Sequence, residues 1–136
     1  MQAKVAKIFI SHSSADTWVA KQIADHIRRC GAECFLDEAD IDHGDDFESR
    51  ILEAAQESSE LLVLLTPWAT NRPYVWLEMG VFWGSGKRIV AVLHGLSAKD
   101  LARDERAPIM LKRTDLVSLN EIDTYFEQLK ARVEKG

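Results

Sequence analysis

Two places in this chain carry side chains that could do chemistry. The first is Ser11-His12-Ser13-Ser14, three hydroxyls and an imidazole set directly behind the apolar run Ile8-Phe9-Ile10. Hydroxyls and imidazole nitrogens can hydrogen-bond the oxygens of a phosphate or a ribose. The second is Glu78, one carboxylate inside the otherwise apolar stretch YVWLEMGVFW. At helical spacing Tyr74, Glu78 and Phe82 fall on one line, so aromatic rings flank the carboxylate. A carboxylate in such surroundings costs desolvation free energy unless something uses its charge. The ordinary alternative is a half-exposed glutamate in a salt bridge, yet no basic residue stands four positions away on either side. Ser13 likewise has two readings. It borders a ligand, or it caps a helix in a capping box with Asp16, and the roles are compatible.

The elements that must position these groups follow from the apolar periodicity. "KIFIS" reads as a strand buried on both faces, and Val19, Ile23, Ile27 and Cys30 then repeat at helical spacing up to a C-capping Gly31. "ECFLD" is a second strand. Residues 38–46 form an acidic loop, and a helix with Phe47, Ile51 and Ala55 on one side follows. "ELLVLLT" is the clearest strand, and Pro67 ends it. A helix with Pro73 in its first turn then carries Glu78 and exits through glycines. "RIVAVLHG" is a fourth strand and "DLVSL" a weaker fifth. Between them, residues 96–113 read as a short helix and a loop. Asn120 is expected to cap a last helix with Ile122, Phe126, Leu129 and Val133 inward.

Strict strand–helix alternation implies a parallel sheet with helices on both faces. Five strands suggest an α/β, flavodoxin-like sheet of order 2-1-3-4-5, as one domain over residues 1–136. Ligands in such sheets bind at the carboxyl ends of the strands, where the order reverses. Here that crevice lies between strands 1 and 3, bordered by Ser11 to Ser14 and adjoined by the Glu78 helix.

Several classes drop out. A net charge of −5 argues against a general nucleic-acid partner. No apolar run approaches a membrane span. Without a leader-like apolar region, a cytoplasmic location is expected, and with it a reduced Cys30 and Cys34. A phosphorelay receiver needs an aspartate at the end of strand 3, where this chain has Leu-Leu-Thr-Pro. Flavin binding is weakly supported, because Ser-His-Ser-Ser-Ala-Asp lacks glycine. Gly84-Ser85-Gly86-Lys87 precedes a strand and lacks P-loop spacing, so it is a helix-ending turn. Asp40, Asp42 and Gly44 do not match a calcium loop, and no metal is expected. His94 ends strand 4 with no partner identifiable.

"KIFISHSSAD", "CFLDEADIDHGDDFESRILEAAQESSELLVLLTP" and "YVWLEMGVFWGSGKRIVAVL" together resemble a bacterial TIR (Toll/interleukin-1 receptor) domain of the NAD+-hydrolase type. The resemblance covers residues 5 to about 95. It implies cleavage of the nicotinamide–ribose bond of NAD+, giving ADP-ribose or a cyclised variant, in bacterial immune defence or signalling. By the same resemblance Glu78 is the catalytic carboxylate, and Ser11, His12, Ser13 and Ser14 border the dinucleotide. Asp42 matches an acidic position that approaches substrate, on a loop that covers the pocket and makes assembly contacts. Tyr74 stands where many relatives have tryptophan. The family often has arginine or another large residue near positions 13 and 14, where this chain has serines. NAD+ is then a substrate with no cofactor beside it, and the expected partners are further copies or other TIR domains. The alternative is a TIR module that assembles partners without turnover.

Overall fold

The computed structural model describes residues 6–38, 47–105 and 115–135. The elements run β1 (Lys7–His12), α1 (Thr17–Arg29), β2 (Glu33–Glu38), α2 (Phe47–Glu57), β3 (Glu60–Leu65), α3 (Pro73–Gly84), β4 (Arg88–Leu93), α4 (Ala98–Arg103), β5 (Asp115–Ser118) and α5 (Ile122–Lys135). One-turn 3-10 helices lead into α1, α3 and α5. The five strands pair in parallel in the order β2-β1-β3-β4-β5. This is the flavodoxin-like sheet expected from the alternation. All of β3 is buried, as its unbroken apolar run requires of a central strand covered on both faces.

Side-chain alternation along the strands divides the core into two layers. Ile8, Ile10, Leu62, Leu64, Val90 and Val92 pack with α1 and α5. Phe9, Leu61, Val63, Leu65, Ile89, Ala91 and Leu93 pack with Val75, Met79 and Phe82 of α3. The helix that carries Glu78 therefore lies on the Phe9 face of the sheet.

The amino end of the strands, opposite the crevice, is closed by a buried polar cluster. Glu60, the first residue of β3, is buried. Its Oε2 accepts the Tyr125 hydroxyl at 2.8 Å, and its Oε1 lies 2.9 Å from Nη1 of Arg132. These contacts tie α5 to the central strand. Burial, and then the neighbouring Glu60 charge, push the Tyr125 hydroxyl well above the usual phenol range. At the end of α1, Gly31 adopts φ +95°, and a Cβ there would lie 3.1 Å from Cγ1 of Val133. Only glycine combines that backbone with the close approach of α5.

Two expected caps are corrected. The Ser13 Oγ accepts from the Ala15 amide at 3.2 Å, while the Asp16 side chain turns away to Thr66, so no reciprocal box forms. Before α5 it is Ser118, not Asn120, that caps: its Oγ accepts the Asn120 amide at 3.3 Å. In each case the serine precedes the one-turn 3-10 helix, so the cap sits further from the α-helix than helical periodicity alone suggests. Gly84 to Lys87 end α3, with the Lys87 and Gly86 amides donating to the carbonyls of Phe82 and Trp83, the pattern of a Schellman turn. Cys30 and Cys34 are both free thiols.

Candidate functional site

The carboxyl end of β1 delivers Ser11, His12 and Ser13 fully buried, with Ser14 exposed. Ser11 follows Phe9 onto the α3 face, whereas His12 follows Ile8 and Ile10 onto the α1 face. The strand thus parts the two side chains that the sequence places side by side. His12 Nδ1 lies 2.8 Å from the Ser13 carbonyl, which only accepts, so Nδ1 carries the hydrogen. In the neutral ring Nε2 is then the acceptor. The His12 Nε2 and the Ser11 Oγ are buried and have no hydrogen-bond partner among the described residues. Polar atoms buried in this way are uncommon, because each forfeits its hydration. A bound molecule's donors and acceptors would restore what they lack. The Ser13 oxygen is engaged in its cap.

The two strand exits bordering the crevice are stapled together. The Thr66 hydroxyl, just after β3, donates to Asp16 Oδ2 at 2.6 Å and accepts the Ala69 amide at 3.0 Å. Asp16 and Thr66 are both buried. One hydroxyl therefore fixes the β3 exit to the start of α1 and also shapes the turn leading to α3.

α3 begins at this rim and runs back along the sheet, packing on β1, β3 and β4. Tyr74 in its first turn is 38% exposed, whereas Glu78 is 1% exposed and Phe82 fully buried. The Phe82 ring meets Phe9 at 5.6 Å between centroids. The line expected from the sequence thus descends from the rim inward, and Glu78 stands one turn, about 6 Å, below Tyr74. Val75 and Met79 beside it are fully buried. Trp76 is half-buried and donates its indole N–H to the Thr70 carbonyl at 3.3 Å. Trp83 is exposed. His94 follows β4, exposed, its amide continuing the ladder to the Leu65 carbonyl. Asp42 and the loop residues 39–46 lie outside the described residues.

One residue at the rim was not singled out from the sequence. Arg72 stands immediately before α3 in extended backbone, and its Nη2 donates to the Ser14 Oγ at 2.9 Å. A cation thus reaches the position where serines alone were expected, from a residue 58 positions further along the chain. The available signal was a basic residue directly before a proline at the helix start, on the helix flanking the crevice.

A family model of the TIR domain matches residues 8–131. The chain belongs to the TIR-domain family. Over 97 residues, 70% of its length, this TIR domain is 28% identical to the probable 2′ cyclic ADP-D-ribose synthase BdTIR of Brachypodium distachyon. It covers 43% of that relative, and so spans less than half of the curated protein it matches. In three dimensions it is similar to the TIR domain of the Toll-related receptor TRR-2 of Hydra magnipapillata, with TM-score 0.68 and 17% identity. That superposition covers 95% of this chain and 98% of the other. The CMP N-glycosidase BcmB of Clostridium botulinum shares the fold at TM-score 0.59 and 17% identity, over 92% and 98% of the two chains. Among the described residues no helix is long and apolar enough to cross a membrane, and no group of three or more His, Cys, Asp or Glu could hold a metal ion.

Proposed function

We propose that this TIR domain is an NAD+ glycohydrolase that breaks the nicotinamide–ribose bond, with Glu78 as its catalytic carboxylate. The observation that carries the reading is the burial of Glu78 in α3, one turn below the rim of the crevice between β1 and β3. Nicotinamide leaves as a neutral base while positive charge develops on the ribose ring. A fixed carboxylate beside that ring favours the cation over the ground state, and it can also accept hydrogen bonds from ribose hydroxyls. A water-poor site strengthens the interaction, because nearby charges attract more strongly where the effective dielectric is low. Ser11 and His12 contribute buried polar atoms able to bond a ribose or phosphate oxygen, and Tyr74 gives the mouth an aromatic wall. Asp42 is proposed to approach the substrate from the covering loop. NAD+ enters as substrate, with no further cofactor. The cyclic ADP-ribose synthase name of the plant relative supports the same chemistry, since ADP-ribose is what remains of NAD+ once nicotinamide has left.

The test is NAD+ consumption by the wild type, Glu78→Gln and Glu78→Ala, each assayed dilute and crowded. Both variants should lose a factor of about 10² or more while keeping the wild-type circular dichroism spectrum. Wild-type turnover in a folded Glu78→Gln protein would end the assignment. A second reading, assembly without turnover, is favoured by the exposed Trp18, Trp68, Leu77 and Trp83, since large exposed apolar groups mark contact surfaces. On that reading the wild type self-associates in light scattering and consumes no NAD+ in either condition.

A further inference from the structure

Arg72 is a half-buried residue at the crevice rim, and its guanidinium spends one N–H on the Ser14 hydroxyl. A guanidinium has five N–H donors. Among the described residues no aspartate or glutamate forms an ion pair with Arg72. Asp16, the acid at the start of α1, is already engaged by Thr66. Ser14 offers a hydroxyl, which orients the fork without neutralising it. The N-terminal end of the twelve-residue α3 lies at the same place and adds its positive dipole. The unpartnered, fully buried Ser11 Oγ stands on the α3 side of β1. An oriented cation, a positive helix end and an unused hydroxyl together describe a seat for an anion with several oxygens.

We propose that Arg72, positioned by Ser14, binds the phosphate groups of a nucleotide in this crevice, so that the site selects phosphorylated ligands over phosphate-free nucleosides. This deepens the NAD+-cleavage reading by naming the group that holds the substrate, and it rests on that reading for the identity of the nucleotide. Arg72 grips the phosphates in both ground and transition states, so its loss weakens binding and leaves the chemical step largely intact.

The experiment is calorimetric titration of the wild type, Arg72→Ala, Arg72→Lys, Ser14→Ala and Ser14→Asp with ADP and, separately, with adenosine. The wild type should bind ADP about tenfold or more tighter than adenosine, the scale of one charge-assisted phosphate contact. Arg72→Ala should remove that preference and leave adenosine binding within about twofold, while Arg72→Lys retains part of it as a point charge. Ser14→Asp places a carboxylate on the fork and should weaken ADP as much as Arg72→Ala does. Ser14→Ala should cost only about threefold, since the charge remains. A structural role for Arg72 predicts instead that ADP and adenosine weaken together. That outcome overturns the proposal, as does wild-type ADP affinity in Arg72→Ala or a wild type indifferent to phosphate. Kinetics separate the two readings. If Arg72 governs ADP binding but NAD+ stays intact, the cleavage reading fails and the phosphate seat stands. If NAD+ is cleaved and Arg72→Ala leaves its KM unchanged, the seat fails and cleavage stands.

Discussion

Replacing Thr66 by valine keeps the side-chain shape and deletes the one hydroxyl that joins the two strand exits. The buried Asp16 carboxylate then loses its 2.6 Å donor, and the Ala69 amide loses its acceptor. A hydrogen bond to a charged group contributes about 1.5–3 kcal/mol, and a neutral one about 1 kcal/mol. Both ends lie in buried surroundings, so the losses add to about 3 kcal/mol. For a chain of this size that corresponds to a fall of about 10 °C in Tm. Thr66→Ser restores the hydroxyl and should recover all but about 1 kcal/mol, and Asp16→Asn, which still accepts, should cost about 1 kcal/mol. Urea denaturation of the three variants measures the series. The same substitution releases the turn that leads to Arg72 and α3, so folded Thr66→Val protein should also show a raised KM for NAD+. A stability loss under 1 kcal/mol, with Thr66→Ser no better than Thr66→Val, would refute the staple.

Arg132→Met should destabilise by about 2 kcal/mol: stranding a buried carboxylate costs about 3–5 kcal/mol, reduced here because the arginine side chain is one third exposed. Catalytic constants measured well below the unfolding temperature should not change, and Glu60→Gln added to Arg132→Met should recover part of the loss in urea titrations. Alkaline stability supplies a further check. Burial pushes the Cys34 thiol up to about 11 from an ordinary 9.0, so between these values the unfolded chain releases a proton that the folded one keeps. Stability should therefore fall with rising pH across that window, by at most about 1.4 kcal/mol per pH unit. Cys34→Ala should flatten the fall from pH 9. Tyr125→Phe should remove the part that starts near ~10, where an ordinary phenol titrates.

The strand order was legible because each strand is a short apolar run and the alternation leaves few parallel topologies. Glu78 was legible for a related reason, as a charge inside apolar helical spacing that burial makes costly. Pairings across long chain separations were not legible. Asp16 looks like a local cap partner until Thr66, fifty positions away, takes its carboxylate. Arg72 reads as a loop cation until the fold brings it to Ser14. Tyr125 does not stand out in the periodicity, and its hydroxyl is accommodated because Glu60 meets it at the amino end of the central strand. Periodicity reports which face a residue occupies, but it says nothing about which distant polar group it meets there.

The Glu60 cluster also bears on the order in which the chain is made. Glu60 belongs to the central strand, yet its countercharge arrives 72 residues later, on α5. Until α5 has been made, the first three strands carry a carboxylate without its arginine partner. The helical layer that would cover Ile8, Ile10 and Leu62 is likewise incomplete until Tyr125 and Leu129 appear. A chain without α5 would leave the Glu60 charge and this face of the sheet unmatched. Completing this end of the sheet therefore depends on the docking of α5, at the amino ends of the strands, opposite the crevice.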